Sequence, residues 1–231
     1  MNNAKIVALT QPIINQIHPF EAPMSVDEFI AYVARVSNPS NQHNMTTANK
    51  LLKYLAKHKH WSPFEMVHIV MEINTTRDIA RQILRHRSFT FQEFSQRYAD
   101  PTGDLGFSHR EARLQDTKNR QNSIELTKHD KMIAQRWEQE QKFIIENVQR
   151  SYDWAIKNGI AKEQARAVLP EGLTNSRMYM AGSLRSWIHY CQLRMGNGTQ
   201  KEHREVATDA WYEITAKFPS LKDSLDIGKG D

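Results

Sequence analysis

Between Met66 and Arg87 the apolar residues change their period from two to nearly four, and no other stretch constrains the fold as much. Val67, Ile69, Met71 and Ile73 alternate with His68, Val70 and Glu72, the pattern of a strand from Met66 to Ile73 with one face in the core. From about Asp78 to Arg87 the spacing turns helical. Ile79, Ile83 and Leu84 form the buried side, while Arg77, Arg81 and Arg85 recur every fourth residue. Like charges at that spacing cost a helix roughly 0.2 to 0.5 kcal/mol per pair, so an anionic ligand or an acidic neighbour is expected beside the row.

The same arginines open a denser segment, Arg81 to Tyr98, which contains Arg85-His86-Arg87, seven residues, then Ser95. Four arginines within seventeen residues are joined by Gln82, Glu93 and Ser95 and interrupted by Phe89, Phe91 and Phe94. A solvated face does not fit, because the phenylalanines need burial. The mixture points to a half-buried phosphate pocket.

Elsewhere the elements read more simply. Lys5 to Leu9 is a short strand, and Ser25-x-x-Glu28 is a capping box opening a helix with Val26, Phe29, Ile30 and Val33 on one face. Leu51, Leu52 and Leu55 mark a helix ending near His58. Pro101 to Ser108 reads as a loop, and Glu111 to Asn122 as an exposed polar stretch. The longest helix is expected from about Glu125 to Asn158, with Ile133, Trp137, Ile144, Val148 and Tyr152 at helical spacing and Gly159 as its stop. A shorter helix ends before Pro170, an extended stretch covers Asn175 to Met180, and a helix follows from about Gly182 to Met195. The last amphipathic helix carries Val206, Ala210, Trp211, Ile214 and Phe218.

A chain of 231 residues with 39% hydrophobic and 25% charged residues has ordinary globular composition, so one domain spanning 1–231 is the default. No apolar run is long enough to span a membrane and no signal-peptide pattern opens the chain, which leads to the expectation of a cytoplasmic protein without membrane partners. The net charge of +5 favours anionic partners without choosing one. Cys191, the single cysteine, excludes an internal disulfide and a cysteine zinc cluster, and it falls on the apolar stripe of Leu184, Trp187, Ile188 and Met195, where core packing is expected. Gly196-Asn197-Gly198 follows a helix and lacks the remaining spacing of a dinucleotide fingerprint. No metal site is expected, although His58 and His60 leave a surface pair or weak metal binding as alternatives.

Four blocks in order resemble the flavin-dependent thymidylate synthases: His60-Trp61-Ser62-Pro63-Phe64-Glu65, the Arg85-to-Ser95 signature with Glu93, Ser95 and Arg97, Ala165-Arg166-Ala167-Val168-Leu169-Pro170, and Arg185 through Arg194. The resemblance implies an α/β protein of the α+β type, with a central, mostly antiparallel sheet flanked by helices and long helices in the C-terminal half. It implies conversion of dUMP to dTMP, with methylenetetrahydrofolate as carbon donor and NADPH-reduced FAD as hydride source. A homotetramer with active sites where subunits meet is implied as well.

By the same resemblance FAD is held by His60, Ser62, Arg85, His86, Arg87, Glu93, Ser183, Arg185 and His189. The family commonly carries Asn at the positions of Ser183 and His189, and both replacements can still hydrogen-bond. The nucleotide site takes Gln82, Glu93, Ser95, Gln96, Arg97 and Arg166, and Arg194 faces the pyrimidine ring as the catalytic cation. Arginine suits these tasks because its planar fork gives bidentate, permanently charged hydrogen bonds. Ser95 closes the signature but has no Ser-His-Asp arrangement near it in sequence, so it reads as a positioning hydroxyl. The helix around Arg185 has polar flanks on both sides, Arg185, His189 and Gln192 against Ser183 and Arg194, so it either borders two pockets or is a surface helix with solvated edges. Two rival readings remain: a non-enzymatic RNA- or nucleotide-binding protein that stacks bases on the three phenylalanines, and a flavoprotein of this fold without synthase activity.

Overall fold

The computed structural model describes residues 2–14, 23–222, 224, 225 and 227. Its centre is a four-stranded sheet of β1 (Asn3–Leu9), β2 (His68–Thr76), β6 (Asn175–Ser183) and β3 (Thr90–Glu93), in the order β1-β2-β6-β3 with every pair antiparallel. β2 follows the alternation read from the sequence: Ile69, Met71 and Ile73 are fully buried, and across the sheet Met178 and Met180 are buried with them. Both central strands therefore present one apolar face. Helices cover it.

Those helices are α1 (Val26–Ala34), α2 (Ala48–Lys57), α7 (Leu184–Arg194) and α8 (Lys201–Lys217), whose buried residues join the sheet's in one cluster. Ser25 and Glu28 make both bonds of the expected capping box at the start of α1. α8 packs on β1 and α7, and the short α9 (Pro219–Lys222) touches α2 and α8.

Several boundaries differ from the sequence reading. α3 spans Arg77–Ile83 and stops before the signature, so Arg85, His86 and Arg87 lie in a turn, where the His86 amide bonds the Ile83 carbonyl. Phe91 belongs to a strand, β3, whose ladder partner β6 lies more than eighty residues away in sequence. A 3-10 turn over Ser62–Met66 precedes β2, and β6 continues through Gly182, which the spacing assigned to the next helix. Pro101–Asp104 forms a one-turn helix, α4, capped by Asp100. The polar 111–122 stretch contributes to a hairpin of β4 (Arg113–Gln115) and β5 (Ser123–Glu125), and β5 takes the residue expected to open the long helix. That helix, α5, runs Lys131–Lys157, stops at Gly159 with φ of 76°, and is followed by the short α6 (Lys162–Ala165). Of its expected stripe only Tyr152 is fully buried, whereas Ile133, Trp137 and Ile144 remain exposed.

Candidate active site

The arginine row finds acidic neighbours for two of its members. Arg77 pairs with Glu93 at 3.3 Å, in a largely buried contact that also receives the Ser176 hydroxyl on the same carboxylate oxygen at 2.8 Å. Arg81 pairs with Glu171 at 3.1 Å, both about half exposed. Arg85 and Arg87, in the turn that follows, have no ion-pair or side-chain hydrogen-bond partner among the described residues. Free guanidiniums in a constrained turn are suited to an oxygen-rich anion.

Between them, His86 turns inward. Its Nε2 accepts a hydrogen bond from Arg194 Nε at 2.9 Å, and its ring meets Tyr190 edge to face at 4.9 Å. Burial, then the charges of Arg194 and Arg85, hold the imidazole down to about 4. At neutral pH His86 is therefore uncharged and acts as an acceptor, which lets it aim a guanidinium instead of repelling one. The terminal nitrogens of Arg194 have no partner among the described residues.

The two flanks of α7 do border different surroundings. On one, Arg185 pairs with Glu65 at 2.6 Å, and His189 lies edge to face against Trp61 at 5.1 Å, held below its usual value by burial and by Arg185. Ser183, which the sequence grouped with Arg194, instead lies on this flank beside the Glu65 carboxylate; it is buried and caps the helix by accepting from the Ser186 amide. On the other flank is the Arg194–His86 pair. Between the flanks, Trp187, Ile188 and Cys191 are fully buried, and burial pushes the Cys191 thiol up, so it is inert core and not a nucleophile.

The remaining residues expected at the nucleotide site form a third group. Arg97 pairs with Glu163 at 3.3 Å, and Arg166 Nε donates to the Glu163 carbonyl at 3.3 Å. Ser95 accepts from the Arg97 amide, and Gln96 is buried with its Nε2 lacking a partner. No hydrogen bond or ion pair among the described residues joins this group to Arg194. His60 and Ser62 are exposed, and the His58 and His60 rings lie 6.2 Å apart. Among the described residues no group of three His, Cys, Asp or Glu is placed to hold a metal ion.

Sequence reasoning missed the groups behind these side chains. Gln82 Nε2 donates to Gln200 Oε1 at 2.8 Å, and its Oε1 faces His203 Nδ1 at 3.2 Å, while His203 Nε2 meets the Tyr190 hydroxyl at 3.1 Å. Burial, Arg194 and His86 hold His203 down to about 3. Its signal was present: His203 sits on the same helical face as the buried Val206, Ala207 and Ala210, and a polar residue on a core face must find partners. Phe89 is buried against Trp187 and Tyr190, which removes one of the three rings that base stacking would need.

The fold and site thus define a protein in which, among the described residues, arginines suited to an anion stand uncommitted beside a neutral histidine that aims a further cation. Residues 22–220 match the family model described as thymidylate synthase complementing protein. A probable flavin-dependent thymidylate synthase of Paramecium bursaria Chlorella virus 1 is 45% identical over 224 residues, 97% of this chain and 99% of its own. A flavin-dependent thymidylate synthase of Synechocystis sp. is 44% identical over the same lengths. Among solved structures, a UMP/dUMP methylase, PolB, of Streptomyces cacaoi bound with 5-Br dUMP shares the fold, with a TM-score of 0.74 and 22% identity over 97% of this chain and 94% of that one. The chain belongs to the flavin-dependent thymidylate synthase family.

Proposed function

We propose that this chain converts dUMP to dTMP, with methylenetetrahydrofolate as the carbon donor and reducing equivalents from NADPH passing through FAD as hydride. The observation that carries the reading is the turn of Arg85, His86 and Arg87. Among the described residues two of its side chains have no partner, and the third is neutral and bound to Arg194 at 2.9 Å. The donor set fits a dinucleotide diphosphate, because guanidiniums and hydroxyls supply charge and direction without a glycine-rich loop. Arg85, His86 and Arg87, with His60, Ser62, Glu93, Ser183, Arg185 and His189, would hold FAD. The bound flavin supplies the redox chemistry, and the protein supplies binding, orientation and exclusion of water.

Gln82, Ser95, Gln96, Arg97 and Arg166 hold the nucleotide in this reading. The Arg97–Glu163 pair is exposed and worth little by itself, so a phosphate can take over the guanidinium at small cost. Arg194 stabilises negative charge on the uracil oxygen and nitrogen as C5 becomes nucleophilic. This preorganised cation substitutes for covalent activation, for which the buried Cys191 is unsuited. Glu93, already bonded to Arg77 and Ser176, contributes its other carboxylate oxygen. The active form is a cytoplasmic homotetramer of single-domain chains, with sites completed between copies, which brings the Arg97–Arg166 group of one chain toward the Arg194 group of another.

Visible absorption tests the reading directly. Purified protein given FAD should show flavin bands that bleach with NADPH under anaerobic conditions, faster with dUMP present, and the complete mixture should yield dTMP. No flavin uptake would reject the assignment. In Ser95→Ala, nucleotide binding should weaken while turnover stays measurable; complete loss of turnover with fold, FAD content and nucleotide binding intact would instead make Ser95 a reacting group.

A further inference from the structure

Behind Gln82 lies a chain of side-chain hydrogen bonds whose polarity is fixed from one end. Glu202 is buried and faces Arg110 at 3.1 Å and Arg113, and an ionised carboxylate can only accept. The group 2.9 Å from Glu202 Oε2 must therefore be the amide nitrogen of Gln200, which turns the Gln200 carbonyl toward Gln82. That carbonyl accepts at 2.8 Å, so Gln82 presents its own nitrogen there and its Oε1 to His203. Facing a carbonyl, His203 Nδ1 must carry the proton. Its Nε2 is then a bare acceptor, and the Tyr190 hydroxyl donates to it. Burial holds His203 down to about 3, so the ring has one proton to place at neutral pH.

We propose that Glu202, Gln200, His203 and Tyr190 are positioning residues that lock the Gln82 amide in one of its two flips, so that its remaining N–H is held toward the nucleotide. This rests on the reading of Gln82 as a nucleotide contact. Both ends of the Gln82 amide are committed, its oxygen to His203 and one N–H to Gln200, which among the described residues leaves one N–H uncommitted on a half-buried side chain. A donor in that place complements a carbonyl or phosphate oxygen. A flipped amide would offer that oxygen a lone pair instead, and a buried mismatch is costly. Of the four, only Tyr190 lies on α7 with Arg194, and its ring also flanks His86, so the same residue backs Gln82 through His203 and the Arg194–His86 pair directly.

Two measurements test the proposal. In ring-15N-labelled protein without ligands, the long-range 1H–15N spectrum should show His203 protonated on Nδ1 and bare on Nε2; the opposite tautomer overturns the chain. The second is equilibrium binding of dUMP to FAD-loaded wild type, His203→Leu and His203→Asn. Leu should weaken binding about tenfold, the equivalent of roughly 1.4 kcal/mol, and Asn, whose amide can replace the Nδ1 donor, should restore most of it. Equal affinity in wild type and His203→Leu overturns the proposal while leaving the assigned activity intact. A wild type that binds no dUMP overturns the Gln82 contact and the activity together. Loss of binding in both variants, with their circular dichroism unchanged, overturns the donor role specifically.

Discussion

At the scale of single residues, the two inward-facing histidines tie the site to pH. His86 is held to about 4 by burial, Arg194 and Arg85, and His203 to about 3 by burial, Arg194 and His86. Both lie below the value of about 6.5 for an unfolded histidine. Across the interval the unfolded chain binds more protons, so stability is full above about pH 6.5 and is lost as pH falls toward these folded-state values. Denaturant unfolding at pH 7 and pH 5 should show the loss, with His203 contributing on the order of 1 kcal/mol. The difference should shrink in His203→Asn, and an unchanged difference would mean that His203 does not titrate with unfolding. The motif residues of the candidate site, Arg85, His86, Arg87, Ser95 and Arg194, were legible at this scale because they occur in local sequence blocks. What was not legible is which arginines are free. Glu93 and Glu171 neutralise Arg77 and Arg81 from 16 and 90 residues away, and only the fold brings them there.

At the scale of elements, the approach of the signature turn to β6 depends on Gly182. A Cβ built there would meet the Phe89 ring at 2.5 Å, closer than real side chains come, and the ring is itself wedged against Trp187 and Tyr190. Gly182→Ala should therefore destabilise the protein by about 1–3 kcal/mol through overpacking. Thermal unfolding checks this, and Phe89→Leu combined with it should recover part of the loss by freeing space. The element shows why long amphipathic segments were readable and short strands were not. α1 and β2 carry their periods within themselves, and the capping box names its own start. β3 has four residues and β4 and β5 three each, too few for a pattern, so their pairing is visible only in the ladder.

For the whole molecule, the long helix α5 is the part least satisfied by one chain. Met132, Phe143 and Trp154 are 82%, 62% and 62% exposed, and of its 27 residues only Gln141, Tyr152 and Ala155 are buried. Large apolar side chains left this exposed are unfavourable in water and are the kind a partner surface covers. Arg97 and Arg166, proposed to hold the nucleotide, also have no hydrogen bond or ion pair to Arg194 among the described residues. The proposed tetramer accounts for both. Light scattering of the FAD-loaded protein should give four chains per particle, and Phe143→Glu or Trp154→Glu should reduce the mass and the activity together. A stable monomer with full FAD occupancy and activity would rule the assembly out. Among the described residues no helix is long and apolar enough to cross a membrane.

Taken by itself, the sequence determined the half-buried strand β2, the capped helix α1 and the stop at Gly159, and it displayed the motif residues of the candidate site, because each is encoded within a few neighbouring positions. Tertiary structure decided where α3 ends, which strand pairs with β6, which arginines keep an acidic partner, and how His203 and Tyr190 come to stand behind Gln82. These depend on contacts between residues far apart in the chain, and their energies exist only once burial has removed the competing water.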